Sequence, residues 1–194
     1  GFPAALHAIR YPAPGAPDVA VRVQSLLAGH ELPVAMDSDR GLDHGAWVPL
    51  LHMYPLADIP VTQLSVQPGL DADWHLRVGD ALRPLRKEGV LIIASGSLTH
   101  NLCEAAFEDS SVEPSENYAR EFQVWMYGAL LRGDREALKR WHQVAPHAQR
   151  AHPTPEHLLP LFVAHGAGGE CPSVQRPLAN FSLGVLAMDC YVFS

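Results

Sequence analysis

The chain has few cysteines, few basic residues and no long apolar run. Its three cysteines, Cys103, Cys171 and Cys190, stand far apart, and no CxxC pair occurs. An odd, scattered set excludes a disulfide frame or a zinc knuckle, so they read as reduced thiols of a cytoplasmic protein. Fourteen Lys and Arg stand against 21 Asp and Glu, for a net charge of −7. No Lys/Arg run exists, so a nucleic-acid backbone is excluded as the expected partner. No apolar stretch reaches the roughly 18–20 residues that a membrane helix needs. GxGxxG, Walker A, GxSxG and HExxH motifs are all missing, which argues against phosphate-loop, serine-hydrolase and zincin chemistry. The chain begins with Gly, not Met, and no signal-peptide pattern follows.

What is present fits one compact domain over residues 1–194. Hydrophobic residues make up 47% and charged residues 18%, enough for a substantial core. Pro17 and Asp18 open a helix that Gly29 closes. Residues 44–55 form a short helix, with Pro49 inside its first turns and Pro55 at its end. Residues 70–89 are amphipathic: Trp74, Val78, Leu82 and Leu85 share one face, and Pro84 introduces a kink. From Glu116 onward Phe122, Trp125, Met126, Ala129 and Leu130 follow the helical repeat and read as core. Asp134 opens another helix. Thr154 and Pro155 are set to cap and open a further one.

Strands are expected at residues 32–37, 59–66 and 90–95, and again at the C-terminal end. VLIIAS (90–95) is apolar throughout, as in a strand buried on both faces. Alternating helices and strands predict an α/β fold: a single layered domain, with a central largely parallel or mixed sheet flanked by helices. Ligands of such sheets collect at the carboxyl ends of strands. VLIIAS runs straight into SGSLTHNL, which places His100 at such an end.

Eleven histidines are present. His142, His147, His152 and His157 are spaced by five, but five residues advance a helix by about 500°, so successive members cannot share a face. Pro146, Pro153 and Pro155 break the segment as well. His142 and His147 read as surface residues, and His152 and His165 rank as lesser candidates. Three others have better contexts. His44 lies in GLDHG, where glycines let the backbone approach a ligand. His100 follows a Gly/Ser turn. His157 sits at the start of the helix expected after Thr154. Imidazole both ligates metals and titrates near neutrality, so the three together are candidates for a metal or acid–base site. A Cys103–His100 nucleophile pair is a minor alternative.

Four blocks carry a resemblance: GFPAALHAIRYPAPGAP, GLDHGAWVPLLHMYPLADIPVTQLSV, VLIIASGSLTHNL and PTPEHLLPLFVAHGAG. In order and spacing, the chain resembles the DODA-type extradiol aromatic ring-opening dioxygenases, a branch of the class III, LigB-like enzymes. The resemblance implies a single α/β domain and a mononuclear non-haem metal, Fe(II) for turnover, with Zn(II) sometimes in its place. It implies a catechol-type substrate and O₂, with the ring cut beside its two hydroxyls. It implies His157 as the last metal ligand, with neighbouring Glu156 a weaker claimant. It implies His100 as acid–base catalyst and His44 as a pocket residue that hydrogen-bonds substrate or O₂.

The family's first metal-ligand block, and a second ligand histidine before GFP, have no counterpart here. The expectation is therefore a member lacking the N-terminal segment, with sheet edges that favour association into a homo-oligomer. The alternative expectation is a catalytically inactive remnant that keeps the fold as a binding or structural module.

Overall fold

The computed structural model describes residues 9–107 and 117–194. The first eight residues of the first resemblance block, and the expected helix start at Glu116, lie outside the described residues. Two compact units divide the chain between Ser65 and Val66.

In the first unit, α1 spans Pro17–Gly29 and α2 spans His44–Met53. Both follow their sequence signals. Pro17 sits at the start of α1, where its missing N–H costs nothing. Asp43 caps α2 by accepting from the Ala46 N–H at 3.2 Å. Gln63 grips the same residue twice, donating to Asp43 Oδ2 at 2.7 Å and accepting from the Asp43 N–H at 3.0 Å. The strands expected at 32–37 and 59–66 do not form ladders. Their one pairing is a parallel bridge between Gly15 and Val61. Pro33 and Pro60 remove ladder donors there, so apolar, β-branched composition alone does not make a sheet.

The second unit is mainly helical. Helix α3 spans Ala72–Leu82 and passes into a 3₁₀ turn, Arg83–Lys87, where Pro84 interrupts the α-helical ladder. Helix α4 spans Asn117–Leu131, α5 Arg135–Lys139, α6 Trp141–Val144, α7 Ala148–Ala151 and α8 Leu159–Gly168. Phe122, Met126, Ala129 and Leu130 are fully buried, as their spacing predicts, and Leu76, Leu138, Leu158 and Phe162 complete the core. Strand β1, Val174–Leu178, pairs antiparallel with β4, Cys190–Phe193; β2, Phe181–Ser182, pairs antiparallel with β3, Leu186–Ala187.

Two expectations are corrected here. Residues 90–95 belong to no ladder, so the strand expected there does not form; among the described residues the chain mixes helices with two small antiparallel sheets. Leu91 is 62% exposed and Ile93 41%, while Val90, Ile92 and Ala94 are half-buried. That alternation has a strand's period of two without a strand's partners. The helix expected to open at Pro155 opens instead at Leu159. Pro160 has no N–H to offer the Glu156 carbonyl, and the His157 carbonyl accepts from Ser97 rather than from its own chain's next turn. His157 therefore stands in the turn before α8.

His165 of α8 is fully buried, and neither of its ring nitrogens has a partner among the described residues. Phe193 packs edge-on at 5.5 Å. Burial, and then the positive charge of Arg135, pull its pKa down to about 4, while Asp80 opposes them weakly. Arg135 and Asp80 are themselves paired through two bonds of 3.0 and 2.6 Å. The folded chain thus holds His165 neutral, whereas the unfolded chain protonates it near pH 6.5. Its contribution is complete above pH 6.5 and is lost as pH falls towards 4. We expect stability at pH 4.5 to be lower than at pH 7.5 by on the order of 2–3 kcal/mol from this residue. Urea unfolding of wild type and His165→Leu at both pH values checks this; equal losses in the two proteins would sink it.

Candidate active site

The site is built where two loops meet. One is the SGSLTHN segment, residues 95–101, and the other runs from the end of α7 to the start of α8, residues 150–157. Three bonds pass from the first loop to the second. The Ser97 N–H donates to the His157 carbonyl at 2.9 Å and the His100 N–H to the Ala151 carbonyl at 2.8 Å. The Asn101 side-chain amide donates to the Arg150 carbonyl at 2.8 Å. One bond returns: His152 Nε2 lies 2.8 Å from the Leu98 carbonyl. A carbonyl only accepts, so His152 carries its proton on Nε2.

Close approach also needs Gly96. A Cβ added there would run into the His157 carbonyl oxygen. The first loop is held from its other side by β3 and its approach. Thr99 Oγ1 donates to the Val185 carbonyl and accepts from the Ala187 N–H, each at 2.7 Å. The Leu98 N–H donates to the Ala187 carbonyl at 3.2 Å.

The product of this stitching is a pair of imidazoles. His100 and His157 stack with ring centroids 3.5 Å apart and planes 10° from parallel. Both rings are half-buried. Burial, and then the neighbouring His157, lower the His100 pKa below the ordinary value, against a weaker pull from Glu156. His157 Nδ1 is inaccessible and lies 3.3 Å from Glu156 Oε1, short of hydrogen-bond geometry. Thr154 Oγ1 donates to the same Glu156 oxygen at 2.7 Å. His152 lies deeper, 3% exposed, and burial takes its pKa to about 4.

His44 belongs to the first unit, as the exposed first residue of α2. His142 and His147 are exposed, as expected. Cys103, Cys171 and Cys190 are free and exposed. His152 ranks as a lesser candidate in the sequence, and Asn101 and Gly96 are not singled out there, yet all three make the contacts between the loops. Asn101 directly follows His100, and small residues before a functional histidine are a signal of close backbone approach.

The donor chemistry fits a borderline divalent metal in kind. Imidazole nitrogen is its ordinary ligand, and a carboxylate facing the ligand's other nitrogen is its ordinary support. The geometry admits one of the two stacked rings. Of the two, His157, whose Nδ1 faces Glu156, is the ring that would hold an ion, and the ion would supply Lewis acidity. Among the described residues no group of three His, Cys, Asp or Glu side chains could hold an ion alone, and no helix is long and apolar enough to cross a membrane.

Comparison with known proteins shows the family. The family model described as the catalytic LigB subunit of aromatic ring-opening dioxygenase matches residues 2–187. The chain is 46% identical to a 4,5-DOPA dioxygenase extradiol of Beta vulgaris, over 100% of its own length and 72% of that protein's. It is 38% identical to the protein of the same name in Escherichia coli K12, covering 97% of this chain and 69% of the relative. It is also similar to the crystal structure of the uncharacterized protein JW3007 from Escherichia coli K12. There the TM-score is 0.83 at 35% identity, covering 95% of this chain and 75% of the other. The stacked histidines thus sit in a chain that belongs to the LigB family of extradiol aromatic ring-opening dioxygenases.

Proposed function

We propose that the protein opens the ring of a DOPA-like catechol with O₂, at a site organised by His100 and His157. The observation that carries this reading is the parallel stack of those two rings at the junction of two stitched loops. Parallel planes divide the labour: one ring can ligate while the other stays available for protons. His157 is the proposed ligand, because Glu156 faces its Nδ1 and leaves Nε2 for the ion. Fe(II) is the proposed ion for turnover, with Zn(II) able to take its place. Such a metal supplies Lewis acidity and open positions for both oxygens of the catecholate and for O₂.

The protein's own residues do the rest. His100, kept neutral by burial, accepts a phenolic proton and later returns one. His44 is proposed to hydrogen-bond substrate or O₂. Glu156, itself held by Thr154, presents its carboxylate 3.3 Å from His157 Nδ1. The family match runs unbroken across both compact units, which supports reading 1–194 as part of one layered α/β domain. The strand-like alternation at 90–95 supports the same reading.

The test loads the protein with Fe(II) without oxygen, then follows O₂ uptake and the ring-opened product with DOPA and simpler catechols. Metal-loaded protein that consumes no oxygen with any catechol would count against the proposal. His157→Ala should lose bound metal, by more than the 10–100-fold typical of residues that only support a ligand. Elemental analysis after gel filtration checks this, and unchanged metal content would remove His157 from the ligand set.

A further inference from the structure

We infer that His152 is a positioning residue for the stacked pair, acting through the Leu98 carbonyl. The inference rests on the proposed roles of His100 and His157. The His152 ring packs against Phe122, with centroids 5.5 Å apart, and Trp141, with centroids 5.6 Å apart. That aromatic seat fixes the ring in the core, two residues beyond one loop anchor and five before His157.

Its single polar contact then falls on the peptide that matters. Leu98 is two residues before His100, and its N–H is already committed to Ala187. With the carbonyl held by His152, both ends of that residue are pinned. The neighbouring Ala151 carbonyl takes the His100 N–H. Residues 151 and 152 therefore bracket 98–100 with one bond in each direction. Rotating the 98–99 peptide would swing the His100 Cα, and a stack at 3.5 Å tolerates little of that. Losing the donor also strands a buried carbonyl, which would turn to find another. Nδ1 of His152 has no partner among the described residues, so the ring is kept for one bond only.

The experiment compares wild type, His152→Leu and His152→Gln as full chains. Leucine fills the space without a donor, and the glutamine amide can restore one. The first readout is side-chain NMR of the histidines at pH 7. Stacked rings shield each other's carbon-bound protons, so wild type and His152→Gln should show displaced His100 and His157 resonances. His152→Leu should show them moved towards free-imidazole positions. The second readout is catechol turnover with Fe(II): His152→Leu should lose at least about tenfold in kcat, as small misplacements do, with KM within about twofold. Glutamine should recover most of the loss.

A folded His152→Leu that keeps the shielding would overturn the inference, and so would equal impairment of both variants. If the leucine variant does not fold, wild type still decides through its own ring: a proton on Nε2 of His152 is required, and a proton on Nδ1 instead sinks the idea. If wild type turns over no catechol, the proposed function fails while the NMR comparison still judges His152.

Discussion

Replacing His100 by alanine should lower kcat for catechol cleavage by about 10²–10⁴-fold, the range for losing a positioned general acid–base group. Stability should barely move. The loop is anchored at this point by the His100 backbone N–H, which donates to Ala151, and alanine keeps that bond. What the variant loses structurally is the ring stack with His157, worth roughly 0.5–1.5 kcal/mol. The lost rate corresponds to about 3–5 kcal/mol in the barrier. The two effects therefore separate cleanly: a Tm within a few degrees of wild type, bound metal retained, KM little changed, and turnover nearly gone. His157→Ala differs in one measurement, the metal content. A His100→Ala protein that keeps more than a tenth of wild-type kcat would remove His100 from proton transfer. One that sheds its metal would show that the two rings share the ligand role, against the parallel-plane geometry.

Local signals in the sequence were legible, and partners across the chain were not. Pro17 and Asp134 mark helix starts because an opening proline and a capping aspartate both act within one turn. The stripe from Phe122 to Leu130 shows its buried face for the same reason. VLIIAS reads as a buried strand from composition, yet a ladder is a property of two segments, and composition at 90–95 names no neighbour. Pro155 is a sound helix opener by itself. It fails because Pro160 offers the Glu156 carbonyl no N–H and because Ser97, far upstream, takes the His157 carbonyl.

The site shows the same division. His100 and His157 stand out in the blocks that carry the family resemblance, but their stack depends on His152, Asn101 and Gly96, whose roles are all cross-loop. The five-residue spacing from His142 to His157 is accidental as far as the first two are concerned, since both are exposed. The last two matter because they meet residues 97–100, not because of their interval.

The largest stability effect should come from Gly79→Ala, or equally from Gly166→Ala. Helices α3 and α8 cross with these two glycines face to face. A Cβ at Gly79 would strike the Val163 carbonyl oxygen and come within 2.8 Å of both the Ala167 nitrogen and the Gly166 Cα. A Cβ at Gly166 would strike the Leu76 carbonyl oxygen and approach the Asp80 nitrogen to 3.0 Å. Every one of these neighbours is helix backbone, so no side-chain rotation relieves the clash, and one helix must move away. Helix propensity pulls the other way, favouring alanine over glycine by about 1 kcal/mol. Overpacking of this kind costs typically 1–3 kcal/mol and occasionally more. With only backbone to yield, we expect a net loss of about 3–5 kcal/mol, the exceptional range. That is a fall in Tm of roughly 6–20 °C for a chain of this size.

Two further signs follow from the position of these glycines. Separating the helices would let water reach His165, so its pKa would rise from about 4 towards its free value. The extra acid sensitivity between pH 6.5 and 4 would then shrink. Moving α8 would also drag His157, which stands two residues before its first, and disturb the stack with His100. Gly69→Ala is the control, because a Cβ there meets nothing within 4 Å. Thermal unfolding of the three variants decides the matter. If Gly79→Ala melts alongside Gly69→Ala, the two helices are not held at contact distance by their glycines, and the placement of His157 needs another cause.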